Sequence, residues 1–489
     1  MPYQLYPVED WLVAQSLPSN FSPSSIQMIL DELTPNNVRI FWESTKFEGC
    51  TELVEPWYRT SYSLEKISPS LIQQWREAAP DVSLHLPAPN VFIPTDLTIK
   101  DFHDKVTVVG YNNKMRLLLD KIIGMIMHFE IKADRFDVIK ETVTKEYQNF
   151  KFQQPYQQAM YYCSLILEDH SWPWIEELEV LPHLRADDLA NFFPVMLAKA
   201  FLECYVAGNM QSKEAESIVN HIEDVLFHGS QPMCKPLFPS QHLTKRIIKL
   251  ERGLGYLYPV ACLNESDVNS SLVHYIQVHP DDIKMNVKLQ LFALIAKQPA
   301  FHQLRSVEQL GYITALMQRN DSGIRGLQFI IQSSVKDPVH LHDRVEAFLK
   351  MFENRLYEMS GKEYKSNVTA LIDMKLEKHK NLREESSFYW REIMDGTLRF
   401  DRKESEVAAL RELPQQELID FFNEHIKVGA PRRKTLTIQV FGKLHSSEYN
   451  DVISEKGESQ STRIKDIFTF RRSRPLYGSF RGGFGHMKL

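Results

Sequence analysis

The histidine and glutamate groupings of this chain that come nearest to a metal motif do not have the spacing of a metal site. In Phe421-Phe422-Asn423-Glu424-His425 the Glu-His end of an inverted H-x-x-E-H motif is present. Phe421 stands where the first histidine would be, so zinc would lack a ligand one helical turn back. His221-Ile222-Glu223 and His228 fall on one predicted helix at spacings that do not converge on one ion. All of these read as surface histidines. H-E-x-x-H is absent, as are the G-x-S-x-G elbow, the Walker phosphate loop and G-x-G-x-x-G. Gly253-Leu254-Gly255 has no third glycine and reads as a turn. On its own chemistry the chain is therefore expected to bind no metal or cofactor.

Cations offer a second kind of chemistry. Lys375, Lys378, Lys380 and Arg383 form a basic run on one predicted helix, Lys362 to Arg383. Cations on adjacent turns could hold phosphate. Glu377, Glu384 and Glu385 nearby describe a solvated helix face equally well. Arg471, Arg472, Arg474 and Arg481-Gly482-Gly483 look like a nucleic-acid-binding tail, but no base-stacking domain accompanies them. Arg305 and Tyr312, taken alone, read as a helix cap and a packing residue.

Composition narrows the class. The chain has 489 residues, with 43% hydrophobic and 25% charged, which is ordinary for globular proteins and enough for several cores. Lys+Arg number 57 against Asp+Glu 63, which argues against general nucleic-acid binding. The cysteines Cys50, Cys163, Cys204, Cys234 and Cys262 are odd in number and contain no C-x-x-C pair. A disulfide framework and a thiolate zinc site are both disfavoured, and a reducing compartment is expected. The opening residues do not read as a signal peptide, and no apolar run is long enough to span a membrane. A soluble, cytoplasmic location follows as the expectation. Met487-Lys488-Leu489 raises a peroxisomal address, although that address takes a small residue where Met487 stands.

A helix–turn–strand unit recurs along the chain. In the first copy Ser22 caps a helix with Pro23 at its start, and Val38 to Trp42 reads as a strand. In the second, Leu189, Phe192 and Phe193 mark a helix and Ala200 to Ala207 a strand. In the third, Leu418, Phe421 and Phe422 face the core, and Leu436, Ile438 and Val440 alternate with Thr435, Thr437 and Gln439. The spacing predicts tandem homologous α+β domains. Further helices are predicted over Lys114–His128, Asp134–Phe150, Tyr156–Leu167, Val287–Leu304 and Arg344–Leu356. A hairpin turns at Asn320-Asp321-Ser322-Gly323. Linkers are expected at Leu86-Pro87-Ala88-Pro89-Asn90 and Gln231 to Pro236.

The segment Leu304-Arg305-Ser306-Val307-Glu308-Gln309-Leu310-Gly311-Tyr312-Ile313 resembles the L-R-x-x-E-Q-L-G-Y segment of the insulin-degrading-enzyme (insulysin, pitrilysin) family. Glu55-Pro56-Trp57-Tyr58, Asn90 to Thr95, Gln154 to Tyr162 and Gly326 to Ser333 are similar to the same family, in order along the chain. The resemblance implies a zinc metalloendopeptidase built as a clamshell of two halves, each with two homologous α+β sandwich domains around the peptide substrate. The zinc motif of that family belongs to the N-terminal half. The implied divisions are 1–95, the end of the second domain; 96–251, a shortened and mostly helical third domain; and 252–489, the fourth. The third domain is shortened because only Asp96 to Lys105 separate two segments that lie far apart in the family.

By the same resemblance Arg305 and Tyr312 bind the zinc-held substrate and steady its oxyanion. The run Lys375, Lys378, Lys380 and Arg383 would then belong to a polyanion site. The implied partners are a peptide substrate, an N-terminal catalytic half and a second copy in a homodimer. No nucleic acid or membrane is expected. The other readings are a non-catalytic peptide-binding or regulatory homologue and a truncated gene product.

Overall fold

The structure is a computed structural model, and it describes residues 23–42, 44–47, 49–78, 106–228, 234–237, 245–454 and 461–480. The chain divides into two compact units, Met1–Thr95 and Asp96–Leu489. The linker Leu86–Asn90, the segment Asp96–Lys105, Arg481-Gly482-Gly483 and Met487-Lys488-Leu489 lie outside the described residues.

In the first unit, α1 (Pro23–Glu32) is followed by a two-stranded ribbon of β1 (Leu53–Val54) and β2 (Ser61–Tyr62), then α2 (Pro69–Glu77). Ser68 caps α2 by accepting the Leu71 N–H at 3.3 Å, with Pro69 pre-set in the first turn. The strand expected over Val38 to Trp42 does not form, and Val38, Ile40, Phe41 and Trp42 are exposed. A strand persists only with a neighbour to take its N–H and C=O groups. The short strands here pair with each other instead.

The second unit begins with helices. These are α3 (Asn112–Met127), α4 (Ala133–Asn149), α5 (Pro155–Leu167), α6 (Trp174–Val180), α7 (Ala186–Leu197) and, after β3 (Lys199–Ala200), α8 (Ser212–Glu223). The strand expected over Ala200 to Ala207 is reduced to β3, whose parallel partner is the two-residue β4 (Lys235–Pro236). Apolar positions of these helices, among them Val138, Ile139, Phe192 and Val195, are exposed.

The rest of the unit is built on one sheet. Its strands are β5 (Gly255–Ala261), β6 (Ser270–Pro280), β7 (Ile313–Asp321), β8 (Ile324–Ser333), β9 (Thr435–Phe441) and β10 (Ser461–Arg463), in the order β10-β5-β9-β6-β8-β7. β10, β5 and β9 run parallel, and β9, β6, β8 and β7 alternate antiparallel. The β7–β8 hairpin closes where expected. Ser322 and Gly323 take φ of 46° and 84°, the left-handed pair a tight hairpin turn requires.

Helices cover both faces of the sheet. On one face Leu272, Ile276, Leu327, Phe329 and Ile331 pack under α9 (Ile283–Phe301) and α10 (Pro338–Glu358). Beyond them lie α11 (Gly361–Leu376), α12 (Leu382–Asp395), α13 (Arg402–Glu412) and α14 (Gln415–His425). Phe292 of α9 stacks on Phe422 of α14 at 5.6 Å and meets Phe352 edge-on at 5.7 Å. On the other face Val273, Tyr275, Leu436, Ile438 and Val440 pack with Ala159, Cys163 and Ile166 of α5. Phe470 of α16 (Ile467–Arg472), which follows α15 (Ser446–Ser454), joins them. Coverage on both sides explains why every residue of β9 is buried, polar ones included. The helix expected from Lys362 to Arg383 is two helices. It stops at Leu376, and Asn381 restarts the chain as the cap of α12, accepting the Glu384 N–H at 2.9 Å.

A buried ionic cluster ties α9, α12 and α13 to the sheet. Arg402 reaches Asp281 at 2.8 Å and also binds Glu392. Arg325 reaches Asp281 at 2.8 Å, and Lys375 reaches Glu406 at 2.5 Å. Burial works against the charged form of Asp281. The hydrogen bonds from Arg402 and Asn286 and the charge of Arg325 outweigh it and bring its pKa to about 2.

Candidate substrate-binding site

Asp282 caps α9 through the Met285 N–H at 2.9 Å, and the helix runs to Phe301 before widening into a π-helical turn, His302–Val307. Such turns set one side chain off the regular helical spacing. Here Leu304 points inward at 1% exposed, and Leu310 joins it at 2%. The Leu310 N–H donates to the Leu304 carbonyl at 3.1 Å, so the two leucines close a short loop. Glu308 locks that loop from outside. Its carboxylate takes two bonds from Arg344 of α10, at 2.6 and 2.9 Å, and one from Gln303 at 2.8 Å. The Arg344 bond holds its pKa below the ordinary carboxylate value. Gln309 turns the chain with a left-handed φ of 53°.

Gly311 then passes against β8. A Cβ built there would lie 1.8 Å from the Gln332 carbonyl oxygen, so only glycine lets the strand approach. Because that oxygen belongs to backbone, Gly311→Ala is expected to destabilise by about 1–3 kcal/mol in denaturant unfolding. Gly361→Ala, at the start of α11 with open space around it, serves as the control and should not destabilise. Equal stability of the two variants would remove the steric reading of Gly311.

The result of this geometry is one pair of side chains. Tyr312 stands immediately before the edge strand β7 and is 84% exposed. The Arg305 guanidinium carbon lies 4.7 Å from the Tyr312 ring centre and 4.7 Å from that of Phe301, held between the two rings. Among the described residues neither the Arg305 N–H groups nor the Tyr312 hydroxyl has a hydrogen-bond partner. The pair presents a planar fork of donors and a phenol, side by side, to solvent. It can bind a carbonyl, carboxylate or phosphate. It contains no base or nucleophile, since the nearby Glu308 is taken by Arg344.

The other expected residues are placed differently. Lys375 ends α11 with its ammonium on the buried Glu406, so it is not free for an anion. Lys378 and Lys380 lie in the link between α11 and α12, and Arg383 lies in the first turn of α12. The four do not share a helix face. Of the histidines, His221 pairs with Asp120 at 2.9 Å, and His228 lies 3.8 Å from Asp224. His425, expected at the surface, is buried against the Phe421 ring, 5.4 Å between centres. Burial and the surrounding cations lower its pKa to about 4.

One cluster with metal-type donors was not visible in the sequence. His274 Nε2 lies 3.3 Å and His342 Nε2 3.8 Å from Glu346 Oε1, and the three donor atoms fall within 4.8 Å of one another. Arg433 already occupies the carboxylate, with bonds of 2.5 and 2.9 Å, and its Nη2 lies 3.3 Å from His274 Nε2. Burial opposes the charge on Glu346, yet Arg433 and His274 bring its pKa to about 2. The guanidinium is the cation of this cluster, and a metal would have to displace it. His342 and Glu346 share a helix at i, i+4 spacing, but His274 and Arg433 come from distant strands and loops, which no local pattern connects.

A family model described as the middle or third domain of peptidase M16 matches residues 1–106 and 105–180. A second, described as the C-terminal lobe domain 4 of PqqF-like PQQ synthase, matches 291–390. The chain is 55% identical over 565 residues to insulin-degrading enzyme-like 1, peroxisomal, of Arabidopsis thaliana, covering 98% of this chain and 58% of that protein. It is 30% identical to human insulin-degrading enzyme, covering 96% of this chain and 55% of the relative. The structure of pitrilysin superposes with a TM-score of 0.66 over 97% of this chain and 57% of that one, at 18% identity. The chain thus spans a little over half the length of the relatives it matches. It belongs to the insulin-degrading-enzyme-like M16 peptidases and corresponds to their C-terminal portion.

Proposed function

We propose that this chain is the substrate-gripping part of a zinc metalloendopeptidase that degrades short peptides, and that the zinc chemistry is supplied by an N-terminal half. The observation that carries this reading is the Arg305–Tyr312 pair, clamped in place with its donors turned outward. In the assembled enzyme Arg305 and the Tyr312 hydroxyl would donate to the carbonyl under attack and hold the charge that develops on its oxygen. Among the described residues, those with metal-type donors do not fit a catalytic zinc. Phe421 lacks a donor where a ligand would be needed, His425 is buried among cations, and Arg433 fills the His274–His342–Glu346 cluster. No step of the reaction is therefore assigned to metal held by this chain.

Three observations favour a second reading, a shortened gene product. One family model matches twice, and the two matches meet at 105–106. The alignment with the Arabidopsis relative runs over 565 positions against a chain of 489 residues, so the relative has residues with no counterpart here. The exposed apolar faces of α4 and α7 fit a domain that lacks part of its sheet. The printed name of that relative, which includes the word peroxisomal, supports a peroxisomal location.

The purified chain is expected to hold no stoichiometric zinc and to cleave no peptide. Addition of an intact N-terminal half is expected to restore chelator-sensitive cleavage. One tightly held zinc per chain, with peptidase activity in the chain alone, would overturn the division of labour. No cleavage with a folded N-terminal half present would favour the shortened, inactive product.

A further inference from the structure

Three cations gather where β9 begins, with no carboxylate among them. Lys434, the residue before β9, is only 5% exposed. Its ammonium donates to the Tyr477 hydroxyl at 2.7 Å and lies 5.4 Å from that ring's centre. Lys249 approaches the same ring at 5.7 Å. Arg252 sits on the exposed turn before β5. Among the described residues none of Lys249, Arg252 and Lys434 has a carboxylate within ion-pair distance. The carboxylates of this region are taken. Glu251 pairs with Arg474, and Glu424 pairs with Arg432 at 3.2 Å.

The backbone fixes this arrangement. The Gly253 N–H donates to the Arg433 carbonyl at 2.8 Å, and the Lys249 N–H donates to the Pro475 carbonyl at 2.8 Å. The Gln277 N–H donates to the Lys434 carbonyl at 2.9 Å. The Gln277 side chain in turn bonds Ile248 and Leu250, at 2.9 and 3.0 Å. The segment around 250, the start of β9 and the segment around 476 are therefore one rigid unit.

The neighbouring imidazole points the same way. His425, 8% exposed, has its Nδ1 buried without a hydrogen-bond partner. Arg432, Lys434, His279 and Arg252 all add to the burial that lowers its pKa. Burial, Lys249 and Arg252 bring Lys434 down to about 8. A buried ammonium whose neighbours are two cations and a neutral phenol is unfavourable by itself. An anion facing it turns each of those repulsions into an attraction shared with the ligand.

We infer that Lys434, Lys249, Arg252 and the Tyr477 hydroxyl form a binding site for a compact oxyanion of the phosphate class. The site lies on other segments than Lys378, Lys380 and Arg383 and does not rest on the peptidase reading. Phosphate suits it because several acceptor oxygens can take donors from three cations and a phenol at once. Free phosphate and a phosphate monoester share this chemistry, and the test below separates them.

The test uses the full chain with inorganic phosphate, at ionic strength held constant with chloride, read by thermal unfolding and titration calorimetry. A saturable rise in unfolding temperature is expected with phosphate and not with chloride alone. Lys434→Met keeps the buried stem and removes the charge. It should unfold at a higher temperature than wild type in phosphate-free buffer and no longer respond to phosphate. Arg252→Ala changes an exposed side chain and should weaken binding about tenfold with the fold intact. Glycerol phosphate run in parallel identifies the source, since tighter binding of either form supports the site. The inference is overturned if phosphate acts no differently from chloride, or if Lys434→Met responds as wild type does.

Discussion

In an enzyme completed with an intact N-terminal half, Arg305→Ala and Tyr312→Phe are each expected to lower peptide turnover by roughly thirtyfold to several hundredfold, while unfolding stays nearly unchanged. On the proposed role, each substitution removes a donor that would meet a developing oxyanion, a loss worth about 2–4 kcal/mol of transition-state stabilisation. Stability is spared because the loop has other anchors, namely Leu304, Leu310 and the Glu308–Arg344 pair. The geometry also ranks the variants. Tyr312→Phe keeps the ring that clamps Arg305 and loses only the hydroxyl. Tyr312→Ala loses the clamp as well and should be the more damaging of the two. Arg305→Lys retains charge without the planar fork and should not restore activity. A large loss of stability with normal activity in the folded fraction would show that the pair only holds the fold.

The readings from sequence held where local pattern and packing agree. The β7–β8 hairpin was legible because Ser322-Gly323 can adopt the left-handed turn that the flanking strands need. The third helix–strand copy was legible because Leu418, Phe421 and Phe422 on α14, and Leu436, Ile438 and Val440 on β9, all reach the core. The strands of the first two copies were misread because a strand depends on partners elsewhere in the chain. Their apolar residues carry the pattern without the neighbours. The break between α11 and α12 had a local signal, Asn381 followed three residues later by Glu384, but the surrounding helix formers masked it. Arg305 and Tyr312 stood out only through resemblance. Nothing local shows that a π-helical turn, a left-handed Gln309 and a sterically required Gly311 bring them together. The Lys434 cluster had no signal at all, since its members come from three separate segments.

Arg402→Met is expected to destabilise the second unit by about 3–5 kcal/mol, the range for stranding a buried charge. Two carboxylates depend on Arg402, and they are not equally exposed to its loss. Asp281 keeps Arg325 at 2.8 Å and Arg399 at 3.5 Å. Glu392, 5% exposed, keeps only the Thr397 hydroxyl at 2.5 Å and the Arg399 N–H at 3.2 Å, with no cation in ion-pair reach among the described residues. Glu392 is thus the group left uncompensated. Arg402→Met, Glu392→Gln together should recover much of the loss, because the stranded charge is then gone. The pH dependence follows from the depressed pKa of Asp281 in the folded state. Its stabilising contribution is complete above the ordinary carboxylate value and fades as pH falls toward about 2. Urea unfolding at pH 7 and at pH 4 measures both effects. A loss under about 1 kcal/mol at pH 7, unaffected by pH, would place Arg402 among solvated surface pairs and end the argument that it ties the helices to the sheet.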